Sequence, residues 1–367
     1  MKKNSSIEFY RFLFALIISV SHFVHRCEKS TMKIGGGYLV VEFFFVLSGF
    51  FLMHKYYREQ EKKTRMGLSV DTKQTKGEDA AEAALGFLKS KLARLYPHYI
   101  FSFLVLFAYT AIFVPYEPLI VFAKNAFWEV LMLQDSGISD VIINSPTWYI
   151  SAMLIAGFFA YYLVNRCHKQ FSYIIAPLCS IGIFCYIGHV KGNLMTIQGI
   201  STFTTNGVLR AFSEICIGCI FYELYHYWKQ YFTDRFRLFF TVLEIAAFGT
   251  ILYFMFGPAH STDDYIAVVL MGIAIASTFA GNSYLSKILN HPLSQKLGGL
   301  SYAMYLNQWL LIQIFKNSRI SQFSFYTQLV LYLVILFVYS ILTDEFCNRM
   351  AKKISVIWKE RVMMDKE

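Results

Sequence analysis

Charge is scarce in this sequence. Only 16% of its residues are Asp, Glu, Lys or Arg, against 56% that are hydrophobic, whereas soluble domains carry about a quarter charged residues. A water-soluble globule of this size has no interior large enough to hide 36 Phe and 25 Tyr, so a soluble enzyme is excluded. Cysteine is equally uninformative. The seven Cys follow no regular spacing, and Cys179, Cys185, Cys216 and Cys219 lie inside apolar runs where a thiol acts as a small hydrophobe. No disulfide framework is expected. Cys216 and Cys219 form a CxxC without a neighbouring Cys or His pair, so no metal site is expected either. Internal repeats are lacking, which removes the inverted-repeat signature of many transporters.

What is present suits a lipid solvent. Phe packs against acyl chains and Tyr anchors at the headgroup level. A helix needs about 20 mostly apolar residues to cross the hydrocarbon layer, and ten segments come close: 7–25, 38–54, 98–114, 148–165, 172–188, 208–226, 238–256, 265–281, 300–316 and 325–343. An eleventh run, 119–133, is interrupted by Lys124, Asn125 and Glu129 and reads as an interfacial or re-entrant segment. With the amino terminus inside, the inner segments hold 25 of the 34 Lys and Arg and the outer segments seven. The positive-inside rule therefore predicts an all-α, polytopic transmembrane bundle of about ten helices, N-in and C-in.

The net charge of +10 is thus a matter of topology, and no nucleic-acid partner is expected. The stretch MKKNSS ahead of the first apolar run lacks a following small-residue cleavage site, so it reads as the start of a retained helix. Residues 1–367 read as a single transmembrane domain. The charged inner stretch from about 55 to 90 is expected to be a mobile loop.

Ionisable groups inside a membrane are costly, about 2.5 kcal/mol or more for a central Arg, and each is a candidate functional residue. The first segment holds Glu8, Arg11 and His22. At 3.6 residues per turn, Arg11 and His22 fall roughly 20° apart around the helix and about 16 Å apart along it. They share a face. Glu8, three residues before Arg11, is placed to pair with it. Arg11 could equally snorkel to headgroups and His22 bond a neighbouring helix. The second segment carries Glu42 and, near its inner end, Ser48-Gly49, with small residues that admit a close neighbour. No base adjoins Ser48, so it is not expected to be a nucleophile. Lys89, Lys91 and Arg94 ahead of the third segment anchor it at the inner surface and also suit phosphate binding.

Taken together, Arg11 and His22, GGGYLVVEFFFVLSGFFL, KLARLYP, PTWYISAMLIAGF at 146–158, RAFSEICIGCIFYE at 210–223 and SYAMYLNQW at 301–309 resemble the acyltransferase-3 family of bacterial membrane O-acyltransferases. The resemblance runs from the first helix to the last ones. It implies movement of an acyl group, usually acetyl, from cytosolic acyl-CoA to a hydroxyl of an extracytoplasmic or lipid-linked glycan, in the cytoplasmic membrane. It also implies that His22 is the key catalytic group and that Arg11, Lys91 and Arg94 are essential.

Three positions depart from the family's pattern: Lys91 stands where Arg is usual, Met153 where many members have Glu, and Gln308, beside Asn307, where many have His. Lys keeps the charge at 91 but loses the bidentate fork. A mechanism needing a second carboxylate or His at 153 or 308 is accordingly not expected.

Transfer from a thioester to an alcohol needs a base for the hydroxyl proton, and an imidazole titrates in the right range. His22 is expected as general base, or as nucleophile through an acyl-imidazole. Arg11, Lys91 and Arg94, with Ser48 beside them, are expected to hold acetyl-CoA. Trp148, Ser151, Glu214, Tyr302 and Asn307 are expected to line the substrate path. Glu42 and Glu214 are candidates for orienting the imidazole, and Glu214 could instead pair with Arg210 four residues away. The rival readings are a transporter or flippase of lipid-linked saccharides and a scaffold that binds no ligand.

Overall fold

A computed structural model describes residues 4–30, 32–66, 76–114, 118–138, 142–195, 204–231, 233–257 and 263–364, the last eleven as backbone alone. Every regular element among them is helical. All ten apolar segments fall in helices, labelled here α1 (Ser5–Arg26), α2 (Val40–Arg65), α3 (Gly77–Phe113), α5 (Trp148–Gln170), α6 (Ala176–Lys191), α7 (Asn206–Trp228), α8 (Arg237–Phe256), α9 (Asp264–Ala280), α11 (Pro292–Lys316) and α12 (Phe325–Met364). The interrupted run forms α4 (Leu119–Val130), which at 12 residues is too short to cross a bilayer. A further short helix is α10 (Tyr284–Leu289).

Local chemistry sets the helix ends. The Asn4 side chain accepts from the amides of Ser6 and Ile7, capping α1. Thr205 does the same for α7 through Val208. Residue Cys167 leaves helical geometry (φ −151°, ψ 57°), and a π-helical turn, Phe171–Ile175, leads on into α6.

Among the described residues, six helical stretches are long and apolar enough to cross a membrane: α1, α2 with its preceding turn, α3, the α5–α6 run, α8 with its preceding turn, and α12. Helix α9 falls short at 17 residues. Helices α7 and α11 have the length, 23 and 25 residues, but bury Arg210 and Glu214 or Asn307 and Gln308. Outer faces are apolar: Leu104 and Ile112 of α3, Leu178 of α6, Phe239 of α8 and Val330 and Leu342 of α12 are all exposed. Such a surface needs lipid to cover it, and the protein is a multi-pass membrane protein.

One expectation fails. The stretch from about 55 to 90 is not an irregular loop: residues 55–65 continue α2 and residues 77–90 open α3, leaving only 67–75 outside the described residues. Its Lys, Glu and Ala are strong helix formers, and Lys55 pairs with Glu59 one turn on, at 3.6 Å.

Packing of α1 on α11 and of α2 on α7 positions the polar interior. At the second crossing the two main chains touch. A Cβ on Gly49 would strike the Ile215 carbonyl, and one on Gly218 would strike that of Val46, so glycine alone permits the approach.

Candidate active site

Arg11 and His22 lie at opposite ends of the α1 face. The guanidinium of Arg11 donates from Nη1 to both carboxylate oxygens of Glu8 at 3.0 Å, as the spacing suggested. His22 is held differently. Its Nδ1 lies 3.1 Å from Oε1 of Gln308, a fully buried side chain on α11. Nε2 of Gln308 in turn donates to the Tyr305 carbonyl at 2.9 Å, and the Tyr305 hydroxyl donates to the Pro146 carbonyl. The edge of the imidazole meets the Trp309 ring, with centroids 6.3 Å apart.

At the other end of that face, helix α3 brings its cations to α1. Arg94 feels the charges of Arg11 and Glu8, and Lys91 those of Arg94, Arg11 and Lys55. Four cations from three helices therefore converge, with Glu8 the carboxylate bonded to Arg11. Lys91 lies 5.4 Å from the Phe87 ring centroid, and Lys55 sits 5.2 Å from it. Beside them opens a narrow cleft with room for about one water molecule, about 10 Å³, lined by Ser48, Leu52, Phe87, Lys91, Met153, Leu154, Gly157 and Ile215. Here Met153 Sδ accepts from the Ser48 hydroxyl at 3.5 Å and from the Tyr149 hydroxyl at 3.6 Å. Tyr302 faces Arg94 and donates to the Leu95 carbonyl at 3.3 Å.

The remaining expected residues are engaged elsewhere. Glu42 is not brought to His22. It binds the buried Arg210, accepting from Nη2 and, at 3.0 Å, from Nε, because a guanidinium in this interior needs a carboxylate more than a neutral imidazole does. Glu214 also faces Arg210, at 3.7 Å, and neither of its oxygens has a hydrogen bond among the described residues. Trp148 lies against that guanidinium, 5.2 Å from ring to Cζ. Ser151 accepts from the Asp135 amide at 3.2 Å, and Asn307 donates to Thr343 at 3.1 Å. All of these are buried in helix contacts.

Among the buried carboxyls that the sequence reading did not name as site residues are Glu129 and Asp135, which lie outside the ten apolar runs. Glu129, fully buried in α4, accepts from the Ile143 and Asn144 amides at 2.7 and 2.9 Å and from Thr147 at 3.1 Å. It fastens the segment before α5, and burial outweighs those bonds to push its carboxyl up to about 7. Asp135 sits against Gly207 at the start of α7, pushed up to about 8 by burial.

A family model described as an acyltransferase domain matches residues 4–343. The chain belongs to the acyltransferase-3 family. Membership covers every helix described above, including part of α12. Among curated proteins, an amino-acid racemase of Enterococcus faecalis is 25% identical over 236 residues, which is 58% of this chain and 27% of the racemase. The chain thus spans about a quarter of that protein's length. No solved structure matches. Two of the three departures from the family pattern acquire hydrogen-bond partners. Met153 offers a thioether to Ser48 and Tyr149, and Gln308 offers an amide to His22.

Proposed function

We propose that this acyltransferase moves an acyl group, acetyl in the simplest case, from cytosolic acyl-CoA to a hydroxyl of an extracytoplasmic or lipid-linked glycan. It does so in the cytoplasmic membrane of a bacterial cell, with about ten crossings and both termini inside. The charge bias of the loops supports that topology.

The observation that carries the reading is the convergence of Arg11 from α1 with Lys91 and Arg94 from α3 beside the Ser48 cleft, at the opposite end of the helix face from His22. By the proposed topology this cluster is at the cytosolic mouth and His22 toward the far side. The phosphates of the donor need several cations, and Arg11, Lys55, Lys91 and Arg94 supply them. In the transfer step His22 takes the proton of the acceptor hydroxyl as its oxygen attacks the thioester carbon. A C–O bond forms, the C–S bond breaks, and the proton goes to the departing thiolate. The donor therefore remains on its own side while the acyl group changes carrier.

The test is transfer of label from radiolabelled acetyl-CoA to glycans and lipid-linked precursors in a membrane extract, with purified wild type and His22→Ala. Loss of transfer in a variant that inserts and elutes like wild type is expected. Undiminished transfer would remove His22 from the chemistry, and no consumption of the thioester by wild type would favour a transporter.

A further inference from the structure

We infer that Gln308 is a positioning residue that fixes His22 as the tautomer with its proton on Nδ1, leaving the lone pair of Nε2 for the acceptor hydroxyl. The inference rests on the reading of His22 as general base.

The argument begins with the two unlike ends of an amide. The Gln308 Nε2 can only donate, and the Tyr305 carbonyl 2.9 Å away can only accept. That bond decides which way the amide lies. Its oxygen must then face His22, 3.1 Å from Nδ1. A carbonyl oxygen carries no hydrogen, so the proton of that bond belongs to the imidazole. Reversing the amide would set two acceptors, Oε1 and the Tyr305 carbonyl, against each other in a fully buried place, costing the bond that Nε2 makes there.

Neighbouring groups reinforce the arrangement. The Tyr305 carbonyl is the anchor, and Tyr305 is tied by its own hydroxyl to the Pro146 carbonyl. The Trp309 ring stands at 83° to the imidazole, 6.3 Å between centroids. His25, one turn on, spends its Nδ1 on the Ser21 carbonyl at 2.7 Å and so does not compete. Among the described residues, Gln308 makes the one hydrogen bond shown to His22. A neutral imidazole with its proton on Nδ1 accepts at Nε2, which is the state a base requires before the reaction. When Nε2 takes a proton, the Nδ1–H to amide bond persists through the charged state. Gln308 therefore does for this imidazole what an orienting carboxylate does elsewhere, without adding a buried negative charge.

The test combines a spectroscopic readout with turnover. Full-length protein in nanodiscs, labelled with nitrogen-15 histidine, is compared with His22→Gln to assign the two ring nitrogens of His22. Wild type is expected to show a protonated Nδ1 and an unprotonated Nε2. Gln308→Leu is expected to lose that preference. Its turnover of radiolabelled acetyl-CoA with a membrane extract as acceptor source should fall about 10- to 100-fold, as when other groups that orient a histidine are removed, while the donor KM stays within about twofold. Gln308→Glu, protonated in this buried place, keeps an acceptor oxygen toward Nδ1 and an O–H toward the Tyr305 carbonyl, and should recover most of that loss. Wild-type His22 protonated on Nε2, or Gln308→Leu with unaltered turnover and tautomer, would overturn the inference. Retained turnover in His22→Gln would overturn instead the reading on which it rests. Should Gln308→Leu fail to fold, the wild-type spectrum and Gln308→Glu still decide.

Discussion

Arg210 on α7 and Glu42 on α2 form a fully buried ion pair, with Nε donating to Oε2 at 3.0 Å and Glu214 as a second carboxylate 3.7 Å away. Removing one partner of a buried pair costs about 3–5 kcal/mol, because the other charge is left uncompensated. Arg210→Met strands two carboxylates and is expected to abolish recovery of monodisperse protein from membranes. Glu42→Gln leaves Glu214 to balance Arg210 and should be recovered with a lowered melting temperature. Size-exclusion profiles and thermal scans in detergent check the order; equal behaviour of the two variants would refute it.

The cation cluster predicts a division of labour between donor binding and chemistry. Arg94→Ala or Arg11→Gln removes charge-assisted bonds worth about 1.5–3 kcal/mol each. The expected result is an acetyl-CoA KM raised more than tenfold, with the effect weakening in high salt. Lys91→Arg supplies the planar fork that Lys lacks and is expected to lower that KM. Steady-state kinetics at two ionic strengths provide the measurement.

Met153 accepts from Ser48 and Tyr149 only through a thioether, a weak acceptor. Met153→Leu conserves volume, and such exchanges cost less than about 1.5 kcal/mol. Transfer activity is therefore expected to stay within about threefold of wild type. A collapse of activity would assign the sulfur a role beyond packing.

Asp135 supplies a prediction in pH. Burial holds its carboxyl at about 8, against an ordinary 3.8 in the unfolded chain, with Thr205 and Arg210 pulling the other way. Between those values the folded state binds more protons than the unfolded state, so this group makes stability fall as pH rises and leaves it flat outside that window. Asp135→Asn cannot titrate. Its melting temperature is expected to decline less than that of wild type between about pH 5 and 8, and an unchanged slope would contradict the assignment.

How legible all this was in the sequence depended on what each residue's partner was. The apolar runs foretold where helices lie because lipid demands length and hydrophobicity from a single segment, and six of the resulting helical stretches among the described residues meet both demands. The Glu8–Arg11 bond was equally readable, since both partners sit on one helix. Long-range partners were not. Glu42 was matched with an imidazole when the stronger claim came from Arg210, 168 positions away. Gln308 registered only as a departure from pattern, although it touches the central His22 from 286 positions away. The charged stretch after residue 55 misled because low hydrophobicity argues for disorder while its Lys, Glu and Ala argue for helix.

The glycine crossing of α2 and α7 bears on how the proposed glycan acceptor would reach the interior. Where Gly49 and Gly218 let backbone lie on backbone, no pliable side chain stands between the two rods to give way. Prising them apart would also tear open the Arg210–Glu42 clasp that spans the same seam. This pair behaves as a fixed post, and any gate for the acceptor has to swing on the helices around it.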